Sequence, residues 1–279
     1  MEKIFVMVNG LPGKVARKMA QFAFIDNHFE LVTFSLTGPE IDQDTCAIET
    51  MDIELVRPDV RKNRIKEILA RYPEFIAIDY THPGAVISNA RFYVENRIPF
   101  VMGTTGGDRK RLEQIVREAP FPAVIAPNMA KQIVGFQAMM AFGAKTFPGL
   151  FKGYKMIVKE SHQHGKADTS GTAKAMIEYF NELGIDFDVN EIEMERDPVV
   201  QEKQWGIPKE FLTGHGWHTY ALTAPDGSAM FEFKHNINGR DIYVSGTFDA
   251  VLFLNKMAGL KTHTKKLFTM MDVLSGIGL

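Results

Sequence analysis

The chain has 279 residues, 45% of them hydrophobic and 24% charged, with a formal net charge of −2. That length allows one large or two modest domains with a proper core, and the near-neutral balance argues against a nucleic-acid binder, which needs a basic excess. A single cysteine, Cys46, excludes an internal disulfide framework and any cysteine-based zinc cluster, and fits a reducing compartment.

The N-terminus, Met-Glu-Lys-Ile-Phe-Val-Met-Val, enters a strand at once, with no basic n-region or cleavage site. No apolar run approaches membrane-spanning length. The expectation is a cytoplasmic globular protein without membrane partners. Short apolar runs at 4–8, 31–36, 75–78, 99–102 and 123–126 read as buried strands, and 61–71, 85–95 and 109–118 carry helical spacing between them. Such alternation predicts a Rossmann-like, doubly wound parallel sheet with helices on both faces over residues 1–130.

At the first strand-to-helix junction stands Asn9-Gly10-Leu11-Pro12-Gly13-Lys14. Two glycines three apart suit a turn that brings backbone N–H groups against a pyrophosphate, although the full G-x-G-x-x-G is absent. The second strand ends in Ser35-Leu-Thr37 with no acid for a ribose 2′-hydroxyl. Hydroxyls there, with Lys14 and Arg17 nearby, favour NADPH over NADH, although Glu40 in the following loop is an acid that could serve NADH. Asp79-Tyr-Thr81-His-Pro follows the third strand and Gly103-Thr104-Thr105-Gly the fourth. Both lie at strand carboxyl ends, where such sheets bind ligands.

The pattern changes in 131–248, predicted as an α+β domain with an open, mainly antiparallel sheet. A helix carrying Ile133, Phe136 and Met140 leads to a strand over 154–159. Strands follow at about 217–224, 229–236 and 241–248, with Asp226-Gly227 and Asn238-Gly239 as turns. His215 and His218 flank Trp217 at a strand start, an arrangement that suits a surface or core-edge role, and Trp205 suits packing or a subunit interface. Residues 249–279, with Leu267, Met270, Met271 and Leu274 at helical spacing, are expected to pack back on the first domain.

The richest segment runs from Glu160 through Ser161, His162, Gln163, His164, Lys166 and Asp168 to Ser170-Gly171-Thr172. It lies between a strand end and a helix whose apolar face carries Ala173, Met176, Ile177 and Phe180. Free N–H groups at that helix start favour an anion. An imidazole and an ammonium beside it suit a small acidic substrate that must be protonated. His164, two residues from His162, lacks further ligands at metal spacing, so no metal is expected.

Together these motifs resemble the dihydrodipicolinate reductase family, over the whole chain and in the family's order. They are Gly10-x-x-Gly13-Lys14, Asp79-Tyr-Thr-x-Pro83, Gly103-Thr-Thr-Gly106, the loop 160–172, and His235 with Arg240. The shorter loop, Ala126-Pro127-Asn128-Met-Ala-Lys131-Gln132 and Phe231-Glu-Phe-Lys-His235-Asn resemble its plant-type branch. The resemblance implies reduction of 4-hydroxy-tetrahydrodipicolinate in the diaminopimelate route to lysine. His162 would be the acid and Lys166 its cationic partner, with Ser170, Gly171, Thr172 and Gln163 about the small dicarboxylic ring substrate. It carries nucleotide contacts over to Gly10, Gly13, Lys14, Gly103 and Thr105, and the set extends to Pro127, Asn128 and Arg240. A homodimer or homotetramer is expected. Where the family has a second histidine this chain has Gln163, so Gln163 or His164 takes its place. Alternatives are a dehydrogenase of another small acid and a non-catalytic nucleotide sensor. The semialdehyde type of such a dehydrogenase needs a nucleophilic cysteine in the second half, where Cys46 does not lie.

Overall fold

Parallel pairing starts from the first apolar run, in a computed structural model that describes residues 2–259 and 265–276. Strand β1 (Ile4–Asn9) leads into α1 (Lys14–Ile25) and β2 (Phe29–Leu31). Strands β3 (Phe34–Leu36), β4 (Thr45–Ile48) and β5 (Met51–Val56) follow, then α2 (Arg61–Arg71) and β6 (Ile76–Asp79). The series continues with α3 (Val86–Glu95), β7 (Phe100–Met102), α4 (Arg109–Arg117), β8 (Ala123–Ile125) and α5 (Lys131–Thr146). The chain divides into two units, Met1–Val134 with Asp241–Leu279, and Gly135–Arg240.

In the first unit, β1 takes β2 on one side and β6 on the other, all parallel, with β7 and β8 beyond β6. Late in the chain, α8 (Ile242–Gly259), β13 (Leu267–Phe268) and α9 (Met270–Gly276) belong to this unit, and β13 completes a six-stranded sheet of order β13-β8-β7-β6-β1-β2. These strands are short and almost wholly apolar because helices cover both faces. Two hydrophobic clusters result, one around Met19, Ile78 and Phe248 and one around Ile68, Tyr93 and Phe100.

Two expectations change here. The apolar run 31–36 is two strands in different sheets. After β2, Val32 still donates to the Val6 carbonyl (2.9 Å), then β3 leaves to pair with β5 in a small β3-β5-β4 sheet. Residues 241–248 are not a third antiparallel strand but the start of α8. Val244, Thr247, Phe248, Val251 and Leu254 are all buried at helical spacing against the first unit's core, and this outweighs the β-propensity of the Ile-Tyr-Val run.

The second unit holds β9 (Lys155–His162), α6 (Gly171–Glu182), β10 (Glu193–Glu195), α7 (Pro198–Lys203), β11 (His215–Thr223) and β12 (Met230–Asn238). Its sheet has the order β10-β9-β11-β12, antiparallel except between β10 and β9. The apolar side of α6 (Ala173, Met176, Ile177, Phe180) packs with Val158, Tyr220 and Leu222 of that sheet.

Candidate active site

In the first unit the glycine turn is rigid. Gly10 has φ +106°, and a Cβ there would lie 2.2 Å from the Tyr80 carbonyl oxygen. Gly13 donates to the Gly10 carbonyl (2.8 Å) and has no room for a side chain either, since a Cβ would stand 2.7 Å from that oxygen. Gly13 caps α1 without any side-chain acceptor, so the first-turn N–H groups have no internal cap. Leu11 and Pro12, joined by a cis bond, form the rest of the turn.

Neighbouring polar groups brace this turn. Asn9, fully buried, accepts from Leu36 N–H (2.7 Å) and donates to the Tyr93 hydroxyl (3.0 Å). Thr37 donates its hydroxyl to the Leu11 carbonyl (2.7 Å), and Leu11 N–H reaches Ser35 Oγ (3.4 Å). Ser35 and Thr37 are therefore buried struts, not free donors for a ribose phosphate. Arg17 is likewise committed, donating to the Ala47 carbonyl (2.9 Å). Lys14 is exposed. Glu40 is exposed too, with its carboxylate folded against Gly38 just past β3.

Asp79, fully buried at the end of β6, accepts from Thr104 Oγ1 (2.7 Å), Thr81 Oγ1 (2.8 Å), the Tyr93 hydroxyl (2.7 Å) and Asn89 Nδ2 (3.0 Å). It ties the ends of β6 and β7 together; burial, then the Asp79 charge, pushes the Tyr93 phenol well up. Gly103 makes room for the Tyr80 ring, whose hydroxyl bonds Thr247 (2.6 Å). Thr105 and Pro127 are exposed at strand ends, and Asn128 accepts from Ala130 N–H (2.9 Å).

In the second unit, residues i and i+2 of β9 point Glu160 and His162 to one face, and β11 sets His218 opposite Glu160. Glu160 is fully buried. Its carboxylate meets Arg196 Nη2 (2.5 Å), Ser170 N–H (3.1 Å) and His218 Nε2 (3.7 Å). Despite the opposing effect of burial, hydrogen bonds from His218, Arg196 and Ser170 hold Glu160 down to about 2. His162 Nδ1 donates to the His215 carbonyl (3.1 Å), which leaves Nε2 facing His218 Nε2 at 3.3 Å. Burial, then the charge of His218, lowers His162 from 6.5 to about 4.

Arg196 also donates to the Lys166 carbonyl (2.8 Å), so one guanidinium fixes both the buried acid and the polar loop. Lys166 Nζ pairs with Asp168 (2.8 Å), whose side chain is 80% exposed. Gln163 is half-buried, its carbonyl accepting from Lys166 N–H (3.0 Å). Ser170 caps α6, accepting from Thr172 N–H (3.2 Å), and Gly171 opens the first turn with nothing within 4 Å of a Cβ position. His164, exposed, donates to the Arg196 carbonyl (3.2 Å). Arg240 belongs to this unit, its guanidinium over Gly214.

His215 and His218, expected at the surface or a core edge, are both buried. His215 bonds Ser161 Oγ (2.8 Å) and the Phe211 carbonyl (3.1 Å). The alternation in β11, with His218, Tyr220 and Leu222 on the buried face, was the available signal. The role of Arg196 has no local signature, because it depends on how β10 pairs with β9.

A glycine turn at the first strand-to-helix junction of a Rossmann-like sheet, and a buried imidazole–carboxylate group beside a capped helix start, define a pyridine nucleotide-dependent oxidoreductase. Two family models cover almost the whole chain, "Dihydrodipicolinate reductase, N-terminus" over residues 4–129 and "Dihydrodipicolinate reductase, C-terminus" over 133–274. The chain belongs to the dihydrodipicolinate reductase family.

It is 44% identical over 97% of its length to 4-hydroxy-tetrahydrodipicolinate reductase 1, chloroplastic, of Arabidopsis thaliana, covering 78% of that protein. A probable 4-hydroxy-tetrahydrodipicolinate reductase 1, chloroplastic, of Oryza sativa is also 44% identical, over 96% of this chain and 78% of its own length. The dipicolinate-bound dihydrodipicolinate reductase of Paenisporosarcina sp. TG-14 shares the fold at a TM-score of 0.65 and 17% identity, covering 97% of this chain and 99% of that one. The cytoplasmic placement expected from sequence is corrected by these relatives: the Arabidopsis and rice proteins are designated chloroplastic. Among the described residues no helix is long and apolar enough to cross a membrane.

Proposed function

We propose that this chain reduces 4-hydroxy-tetrahydrodipicolinate to tetrahydrodipicolinate in the diaminopimelate route to lysine, using NADPH or NADH. The Met1–Val134 unit with Asp241–Leu279 takes the nucleotide, and Gly135–Arg240 takes the substrate and carries oligomerisation. The supporting observation is His162, held in one tautomer by the His215 carbonyl at 3.1 Å and followed by the anion-favouring start of α6.

The uncapped α1 start and the tight glycine turn fit a pyrophosphate, and the bound nicotinamide supplies hydride. The remaining chemistry belongs to side chains. His162 Nε2 is the atom that takes up and gives the proton, because Nδ1–H is committed. In the free protein His162 sits low, at about 4; a dicarboxylate arriving nearby favours the cation, so the acid is charged as substrate binds. Lys166 exchanges its exposed partner Asp168 for a substrate carboxylate. At the α6 start Gly171 presents its first-turn N–H, while Ser170 N–H already serves Glu160 and Thr172 N–H the Ser170 cap, so these two residues shape that start. Gln163 shapes the turn before Lys166.

With Ser35, Thr37 and Arg17 engaged internally, the choice of nucleotide falls to Lys14, a cation for a 2′-phosphate, and Glu40, an acceptor for a 2′-hydroxyl. We infer that both nucleotides bind. Lys14→Ala weakens NADPH selectively and Glu40→Ala weakens NADH, as titration of each nucleotide reads. Exposed Ile157, Met194, Met230 and Phe231 on the second unit's strands supply apolar surface for a homodimer or homotetramer, which sedimentation tests. The activity itself is tested by following NADPH and NADH oxidation with the condensation product of pyruvate and aspartate semialdehyde. No oxidation of either nucleotide overturns the reading.

A further inference from the structure

Glu160, His162 and His218 place three donor atoms within 4.8 Å of one another on adjacent strands of one sheet. We propose that they form a site for a divalent ion of the zinc class, and that its occupation silences the acid.

Two of the three donor pairs are already spaced for such an ion, and the third, Glu160 with His162, lies within 4.8 Å. Zinc–nitrogen bonds of about 2.0–2.1 Å set tetrahedral donors about 3.3 Å apart; the two imidazole Nε2 atoms are 3.3 Å apart, and His218 Nε2 lies 3.7 Å from Glu160 Oε2. Imidazole nitrogens with a carboxylate are a donor set zinc favours. Each ligand is already oriented from outside. His162 donates Nδ1–H to a backbone carbonyl, the usual device for aiming the other nitrogen at a metal. Glu160 is gripped by Arg196 and Ser170 N–H.

The protons are also accommodated. His162 Nε2 carries its lone pair once Nδ1 holds the hydrogen. His218, only 3% exposed, has a buried Nδ1 with no hydrogen-bond partner, so its proton can move there as Nε2 turns to the ion. His235, with its ring centroid 4.6 Å from that of His218, has both nitrogens buried and unpartnered. His235 lies outside the donor set, so water fills the fourth position. Arg196 neutralises part of the Glu160 charge and lowers affinity for a dication. This favours reversible occupation over a permanent structural ion.

An ion on His162 Nε2 takes the atom that moves the proton, so binding and turnover exclude each other. The inhibition rests on the acid role proposed above; the binding does not. Cobalt(II) is added to the metal-free full chain without nucleotide. The expected result is the visible absorption of a low-symmetry cobalt site, saturating at one equivalent, displaced by zinc, and mirrored by loss of nucleotide oxidation that a chelator restores. His218→Ala and, separately, Glu160→Gln weaken cobalt binding at least about tenfold, while His164→Ala leaves it unchanged. No band at one equivalent in the unaltered chain, or a band that persists at full strength in a folded His218→Ala chain, overturns the site. A chain that binds cobalt as described yet reduces nothing supports the site and counts against the acid role alone.

Discussion

Arg196 shows how a residue far from the loop in sequence sets its chemistry. It is the strong partner of a fully buried carboxylate, and it holds the loop through the Lys166 carbonyl. Removing it strands Glu160, and breaking such a buried pair typically costs about 3–5 kcal/mol. Arg196→Ala should lower urea stability by that order, with partial recovery when Glu160→Gln is added; full stability in the single variant would show the pair to be dispensable. His162→Ala should lower kcat about a hundred- to ten-thousand-fold, as expected for a lost positioned acid, with little change in nucleotide affinity. Burial, then His218, lowers His162 to about 4. Replacing His218 by alanine lets His162 keep its proton to higher pH. The descending limb of kcat/KM should therefore move up in His218→Ala, and a limb that stays in place would assign it to another group.

Among the elements, helix α8 marks the limit of what periodicity can show. Its first residues, Ile242-Tyr243-Val244, fit a strand locally, and only their packing around β6, β7 and β8 makes them helix. By contrast, the strands β1, β6, β7 and β8 and helices α2, α3 and α4 were legible because buried parallel strands are short apolar runs and their crossovers carry helical spacing. The β4–β5 hairpin was not, since Glu49 makes the turn at φ 51° without a glycine. At the site, the loop 160–172 was readable because it is contiguous. The Glu160–His218–Arg196 group needed three strands in register. Contact of α8 with the first unit's core can be tested at Gly246, where a Cβ would lie 1.9 Å from the Met129 carbonyl oxygen. That obstacle is backbone, so Gly246→Ala should destabilise by about 1–3 kcal/mol or more. At Gly135, in α5, nothing lies within 4 Å of a Cβ position. There the same change should stabilise by about 0.5–1 kcal/mol. Opposite signs in chemical denaturation are the expected result, and equal effects would refute the packing of α8.

Across the whole molecule, proton-sensitive burial is concentrated in the second unit. Burial foremost, then the charge of His218, lowers His162 to about 4 and His235 to about 3, from 6.5. Bonds from His218, Arg196 and Ser170 hold Glu160 near 2, below its usual 4.5. For all three, the unfolded chain binds protons more readily than the folded one over the window between the two values, so stability rises with pH there. The histidine contributions are complete above about 6.5 and drain away as pH falls toward 4 and 3; the Glu160 contribution goes between 4.5 and 2. In the first unit, Asp26 and Asp272 are held low, but neither is buried like Glu160. Acid should therefore loosen the second unit first. Both tryptophans, Trp205 and Trp217, lie in it, so their emission reports that unit alone. Between pH 7.5 and pH 4.5 the urea midpoint read by tryptophan emission should fall well below the midpoint read by amide protection in β1, β6 and β7. Phenylalanine at His235, which keeps an aromatic ring beside Phe136 and removes the titrating group, should shrink that gap. If the tryptophan midpoint holds steady over this range, the buried histidines take up their protons without cost, and the acid sensitivity assigned to the second unit is wrong.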